Sequence, residues 1–255
     1  MRALIGIEYL DHFGDVRAAG IIADGGQDLS APYYIANWFG PALADAGHTI
    51  KFLRSNHSVN ERHLRDASNG GDDGENADSV DLYLIITHGN YANGELELLF
   101  DTNVDDWIGE SKSWRFGDNC NMEWLLIYGC ESIDGAHVLD HLHMFRRMHL
   151  LCGAYGPMYD GWTVDDVGND TANNLVAGNT VTDSWHEGVS DWFVSNHPMV
   201  ISVENRRTYN NGDPDWEATA IGCDHLWGQG YTTADIKPAD IYYMAVMSWD
   251  GGIYG

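Results

Sequence analysis

The chain has 255 residues, and 39 acidic against 13 basic side chains give a formal charge of −26. That surplus excludes a nucleic-acid binder, which needs clustered Lys and Arg against phosphates, and it disfavours an anionic membrane surface. With 44% apolar and 12% aromatic residues the chain can bury a core, and one domain spanning residues 1–255 is the leading expectation at this length.

The first ten residues carry an apolar run interrupted by Glu8. It is too short for a secretory leader or a membrane span, and residues 3–9 read as a first strand. Residues 32–46 have helical spacing, with Ser30 as the expected N-cap and Gly47 as the stop. Thr49 to Leu53 suits a second strand, and residues 60–66 a short helix. Residues 69–76 form a polar, Gly-rich stretch, expected to be a flexible loop.

Val80 to Thr87 is a nearly continuous apolar run, the pattern of a parallel strand covered on both faces. It ends in His88-Gly89-Asn90, and residues 95–100 read as a hairpin arm. Met122 to Tyr128 repeats the pattern and ends in Gly129-Cys130-Glu131-Ser132. Val138, Leu139, Leu142 and Phe145 predict a helix over 136–148. Leu150 to Ala154 is a further strand. Residues 155–255 are the least regular part, with helices expected over 171–177 and 182–194 and strands over 198–203 and 242–248. This alternation predicts an α/β fold, a single open and mostly parallel sheet flanked by helices.

The acids divide into 28 Asp and 11 Glu, the bases into 3 Lys and 10 Arg. An Asp-rich, Lys-poor surface on an ordinary core is the pattern of proteins that rely on ambient salt to screen self-repulsion. A cytoplasmic protein of a halophilic archaeon is therefore expected. Cys120, Cys130, Cys152 and Cys223 lack CxxC spacing and read as free thiols.

Two buried strands thus end in reactive side chains, His88 and Cys130. Sites in open α/β sheets form outside the carboxyl ends of the strands, and neighbouring strands lie about 4.8 Å apart. A His and a Cys at adjacent tips can act as base and nucleophile in acyl transfer. The Gly89 and Cys130 amides would then supply an oxyanion hole. The structural alternative is a satisfied histidine and an inert buried thiol.

The runs Leu84-Ile85-Ile86-Thr87-His88-Gly89 and Leu125-Leu126-Ile127-Tyr128-Gly129-Cys130-Glu131-Ser132 resemble the two catalytic blocks of the caspase-like cysteine peptidases, which include caspases, legumains, gingipains, separases and CHAT domains. The resemblance implies a caspase-like fold with His88 as base, Cys130 as nucleophile, and Gly89 and Cys130 as oxyanion donors. Thr87 replaces the Gly often found before the His, and Gly129 the small residue before the Cys. A second resemblance covers residues 80–200. Trp114-Arg115-Phe116-Gly117-Asp118, Met122-Glu123-Trp124, Cys130 and Met148-His149-Leu150-Leu151-Cys152-Gly153 are similar to an uncharacterised microbial family and imply no activity.

A cysteine-dependent hydrolase acting on a peptide or protein is the leading reading. A non-catalytic ligand- or partner-binding protein of the same build stays open beside it. So does a metal-dependent enzyme using His137 and His141, which would share a helix face at i and i+4, although a solvated His-rich face is the simpler account. No cofactor is expected. Asp160, Asp165, Asp166 and Asp170 form a weak Ca2+ candidate without EF-hand spacing. Glu123 and His149 begin their strands and are expected at the end of the sheet away from Cys130, in structural roles. Trp107, Trp114, Trp124, Trp162, Trp185 and Trp192 read as core, with some available to line a ligand pocket. An open sheet edge leaves homodimerisation open.

Overall fold

The computed structural model describes residues 2–15, 28–101, 107–118, 122–161, 164, 166–190, 196–205, 209–210, 213–214 and 219–249. Cys120, Trp162, Trp192 and Asp165 lie outside them. The strands are β1 (Leu4–Tyr9), β2 (Thr49–Ser55), β3 (Leu82–Ile86), β4 (Gly89–Ala92), β5 (Glu95–Leu99), β6 (Ile108–Glu110), β7 (Trp124–Tyr128), β8 (Leu150–Ala154), β9 (Pro198–Glu204), β10 (Tyr209–Asn210), β11 (Asp213–Pro214) and β12 (Tyr243–Ser248). Seven of them form one sheet in the order β12-β9-β8-β7-β3-β1-β2. β2, β1, β3, β7 and β8 pair in parallel, and β9 runs against both its neighbours, β8 and β12.

The apolar runs fold this way because each covers both faces of the sheet at once. Leu82, Leu84 and Ile86 face one layer with Trp124, Leu126 and Tyr128. Tyr83, Ile85, Leu125 and Ile127 face the other. Helices α1 (Pro32–Asp45), α2 (Val167–Ala177), α3 (Val181–Val189) and α4 (Ala220–Cys223) cover the first face. The second face is covered by short turns and by the antiparallel sheet β4-β5-β6. Its first hairpin turns at Asn93-Gly94, both with positive φ, the geometry that a two-residue turn of this sequence prefers. Among the described residues, no helix is long and apolar enough to cross a membrane.

α1 buries Pro32, Ile35, Ala36, Phe39, Gly40 and Leu43, a stripe at helical spacing. Its start differs from expectation. Ser30 is not the N-cap; Ala31 is, and it has no side-chain oxygen to offer. The Asp160 carboxylate instead accepts from the backbone amides of Ser30 and Ala31 at 2.8 and 2.7 Å. Asp160 therefore serves as the cap of a helix start.

Two further segments depart from expectation. Residues 69–76 form consecutive tight turns around a fully buried Asp73. Burial, then Asp78 and Asp66, push its carboxyl up to about 7. Residues 136–148 hold no α-helix: Val138–Met144 is a 3-10 helix, and Leu139 and Leu142 project outward. His137 lies before this 3-10 helix, so the α-helical i and i+4 argument does not apply to the pair, although both rings pack against Tyr91. His137 precedes the turn and bonds Asp134 at 2.6 Å, while His141 is buried.

Candidate active site at the strand tips

β1 leads to β2 on one side of the sheet and, after the crossover, to β3 on the other. The sheet therefore reverses its winding at the β1/β3 boundary, where α/β folds open a crevice. His88 follows β3, Cys130 follows the neighbouring strand β7, and Phe13 follows β1. The Phe13 and His88 rings pack at 4.6 Å between centroids. The tips of β3 and β7 are joined backbone to backbone, Thr87 N–H donating to Tyr128 O at 3.2 Å.

Glycine at both tips permits this approach. A Cβ on Gly89 would collide with the Cys130 carbonyl oxygen, and one on Gly129 would sit 2.9 Å from Thr87 O. Larger residues at either position would force the tips apart. Glu131, next to the thiol, adopts φ +48°, a left-handed turn uncommon outside glycine and enriched at functional sites. Its amide donates to Gly156 O at 2.7 Å, which fixes the turn.

The Cys130 sulfur is held by the loop beyond β8. Met158 N–H donates to Sγ at 3.2 Å, and Sγ faces Met158 O at 3.7 Å. Tyr128 and Asn196 anchor that loop through Tyr159, at 2.9 Å each. His88, Gly129 and Cys130 line one cleft with Pro32, Met158 and Asp160. The cleft encloses about 20 Å³, room for roughly one water. Beside it, past Glu131, lies a hollow of about 410 Å³ walled by Tyr91, Asp134, Tyr155 and His197. Among the described residues, no tryptophan lines either space; Trp114, Trp124 and Trp185 are core.

Three thiols are described, and all are free. Burial raises Cys152 well above the usual thiol range and Cys223 to about 11. Both are poor nucleophiles at neutral pH. The structure thus brings His88, Gly89 and Cys130 together. It does not bring His137 and His141 into any group of three ligand atoms near enough to share an ion, among the described residues.

A family model matches residues 21–249, nine-tenths of the chain. The chain belongs to the family described as domain of unknown function (DUF6345). The DUF6345 fold is similar to that of the Drosophila initiator caspase Dronc, at 13% sequence identity and a TM-score of 0.39, over 69% of this chain and 63% of the caspase chain. The chain therefore spans less than two thirds of that caspase's length. A search of curated proteins finds no match.

The opposite end of the DUF6345 sheet holds a polar cluster that local sequence signals miss. Glu123 and His149 sit there at the starts of β7 and β8, as strand polarity requires. Neither is a simple cap. His149 Nδ1 bonds Asp224 Oδ2 at 2.7 Å, and its Nε2 lies 3.0 Å from Glu123 Oε2. Burial alone would depress the imidazole, but the bond to Asp224 and the nearby Asp235 and Glu123 carboxylates drive it up, to about 10. Burial raises the Glu123 carboxyl to about 7 against the opposing pull of His149. Asp224 and Asp235 come from the last loop of the chain, and no local pattern joins them to His149.

Proposed function

We propose that the chain is a cysteine-dependent hydrolase of caspase-like build that acts on a peptide or protein. The observation that supports this best is the shared cleft. A histidine and a thiol stand at the tips of adjacent parallel strands, and glycines keep the two tips in contact. In this reading the Cys130 Sγ attacks the substrate carbonyl carbon, and its proton passes to His88. The tetrahedral oxyanion faces the Gly89 and Cys130 amides. Collapse breaks the acyl bond, and the leaving group takes the proton from His88. A water then gives its proton to His88, adds to the acyl-enzyme, and releases the acid and the thiol. The hollow beyond Glu131 is where a substrate side chain would sit.

The test is labelling by a thiol-directed acyl probe, with the modified residue mapped by mass spectrometry. Cys130→Ala should abolish labelling at that site, and His88→Ala should slow it by about 10²-fold or more, the scale of lost general-base assistance. Unchanged labelling of Cys130→Ala protein sinks the proposal. The narrowness of the cleft favours a second reading, a non-catalytic binder that uses the hollow. It predicts that His88→Ala leaves the labelling rate of Cys130 unchanged. The acidic surface fits a cytoplasmic protein of a salt-accumulating cell in either case.

A further inference from the structure

The cluster at the amino-terminal end of β7 and β8 is built differently from a buried ion pair. The His149 side chain is only 4% exposed. Its Nδ1 faces Asp224 Oδ2 at 2.7 Å, with Thr233 Oγ1 at 3.2 Å. Asp224 is itself immobilised. Oδ2 also accepts from the Trp124 indole N–H at 3.0 Å, and Oδ1 accepts from the Thr233 amide and hydroxyl at 2.7 Å each. Once the imidazole is neutral, a carboxylate fixed in this way selects the tautomer with the proton on Nδ1, and a metal ion takes the place of the second proton on Nε2.

That Nε2 atom is buried and has no hydrogen-bond partner among the described residues. Glu123 Oε2 lies 3.0 Å from it and Asp235 Oδ1 3.8 Å, and the three ligand atoms fall within 4.8 Å of one another. That nitrogen and the Glu123 oxygen are at ion-pair distance but are not aligned for a hydrogen bond. The same separation is natural for two neighbouring ligands of one ion, because donors about 2.0–2.2 Å from a metal stand roughly 2.8–3.6 Å apart at coordination angles of about 90–110°.

The geometry points to a divalent metal site in which Glu123, His149 and Asp235 are the ligands and Asp224 is the outer carboxylate that orients the imidazole. One imidazole with two carboxylates suits a first-row transition ion such as Zn2+ better than Mg2+ or Ca2+, which prefer oxygen throughout. An outer carboxylate on the far ring nitrogen is the usual companion of a metal-bound histidine. Charge agrees. With an imidazolium the three carboxylates around His149 leave a net charge of −2, and a divalent ion on a neutral imidazole reduces this to −1. Asp235 is half exposed, so the ion can enter from solvent and keep water in its remaining positions. The site joins β7 and β8 to the last loop of the chain, and it stands independently of the Cys130 reading.

The experiment is isothermal titration of untagged, chelator-treated protein with Zn2+, with Ca2+ and Mg2+ as comparators and bound metal counted by elemental analysis. One equivalent of Zn2+ should bind and raise the melting temperature. Asp235→Asn, an exposed substitution that spares the core, should weaken binding by at least about tenfold, and Asp224→Asn by about 10–100-fold, the range for outer-shell partners. Glu123→Gln and His149→Ala should abolish binding. If His149→Ala does not fold, Asp235→Asn decides. The site is refuted if the wild type shows no saturable Zn2+ binding, or if that binding is unchanged in Asp235→Asn and Asp224→Asn.

Discussion

Acid should destabilise this protein in part through one buried imidazole. His141 lies in the 3-10 turn Val138–Met144, is 1% exposed, and has no hydrogen-bond partner on either ring nitrogen among the described residues. Burial, reinforced by His143, outweighs the pull of Asp140 and Asp134 and lowers its pKa to about 4. An unfolded imidazole titrates near 6.5. Between those values the unfolded chain takes up a proton that the folded chain refuses. This contribution to stability is therefore intact above pH 6.5 and is lost as the pH falls toward 4. At about 1.4 kcal/mol per pH unit, the full loss is about 3 kcal/mol. Burial also depresses His48, His143 and His186, and it raises several carboxyls, so the wild-type curve alone cannot isolate the effect. The difference between wild type and His141→Leu can. Urea unfolding is followed from pH 8 to pH 4 at constant high salt. The variant should gain about 3 kcal/mol on the wild type across that range, nearly all of it between pH 6.5 and 4. Parallel curves for the two proteins would refute the reasoning.

Gly89→Ala should lower stability by about 1–3 kcal/mol, because the added methyl meets the Cys130 carbonyl. It should also slow probe labelling of Cys130 by more than the stability loss explains; equal labelling of the folded variant would show that contact between the tips is not needed. Stability should rise with salt into the molar range as self-repulsion at −26 is screened. A protein fully stable in dilute buffer without divalent metal would overturn the halophilic reading of the charge.

The central strands were legible because burial on both faces leaves a local mark. Residues 80–87 and 122–128 are apolar apart from Asp81, Thr87 and Glu123, residues 150–154 carry no charge or hydroxyl, and β3, β7 and β8 fall within or on those limits. The candidate dyad was legible for the same reason: strand polarity puts His88 and Cys130 at one end and Glu123 and His149 at the other. The His-rich segment was misread. Val138, Leu139, Leu142 and Phe145 fit helical spacing, yet Leu139 is 71% exposed. Its neighbours on the sheet face, not its own periodicity, chose the tighter turn. Residues 69–76 misled in the opposite sense, since their composition gives no sign that Asp73 is buried.

The sequence alone was enough to locate the strands of the seven-stranded sheet, and therefore which reactive residues follow or precede each strand. These follow from side-chain solvation within a few residues of each position, and such information is carried locally. Only the tertiary structure decided how the polar groups are satisfied. Asp160 serves a helix start 130 residues earlier, and Asp224 orients a histidine 75 residues before it. A carboxylate needs donors in space rather than in order, so 39 near-equivalent acids offer no local clue to which few are structural. Folding selects them by bringing particular amides, hydroxyls and imidazoles to particular carboxylates.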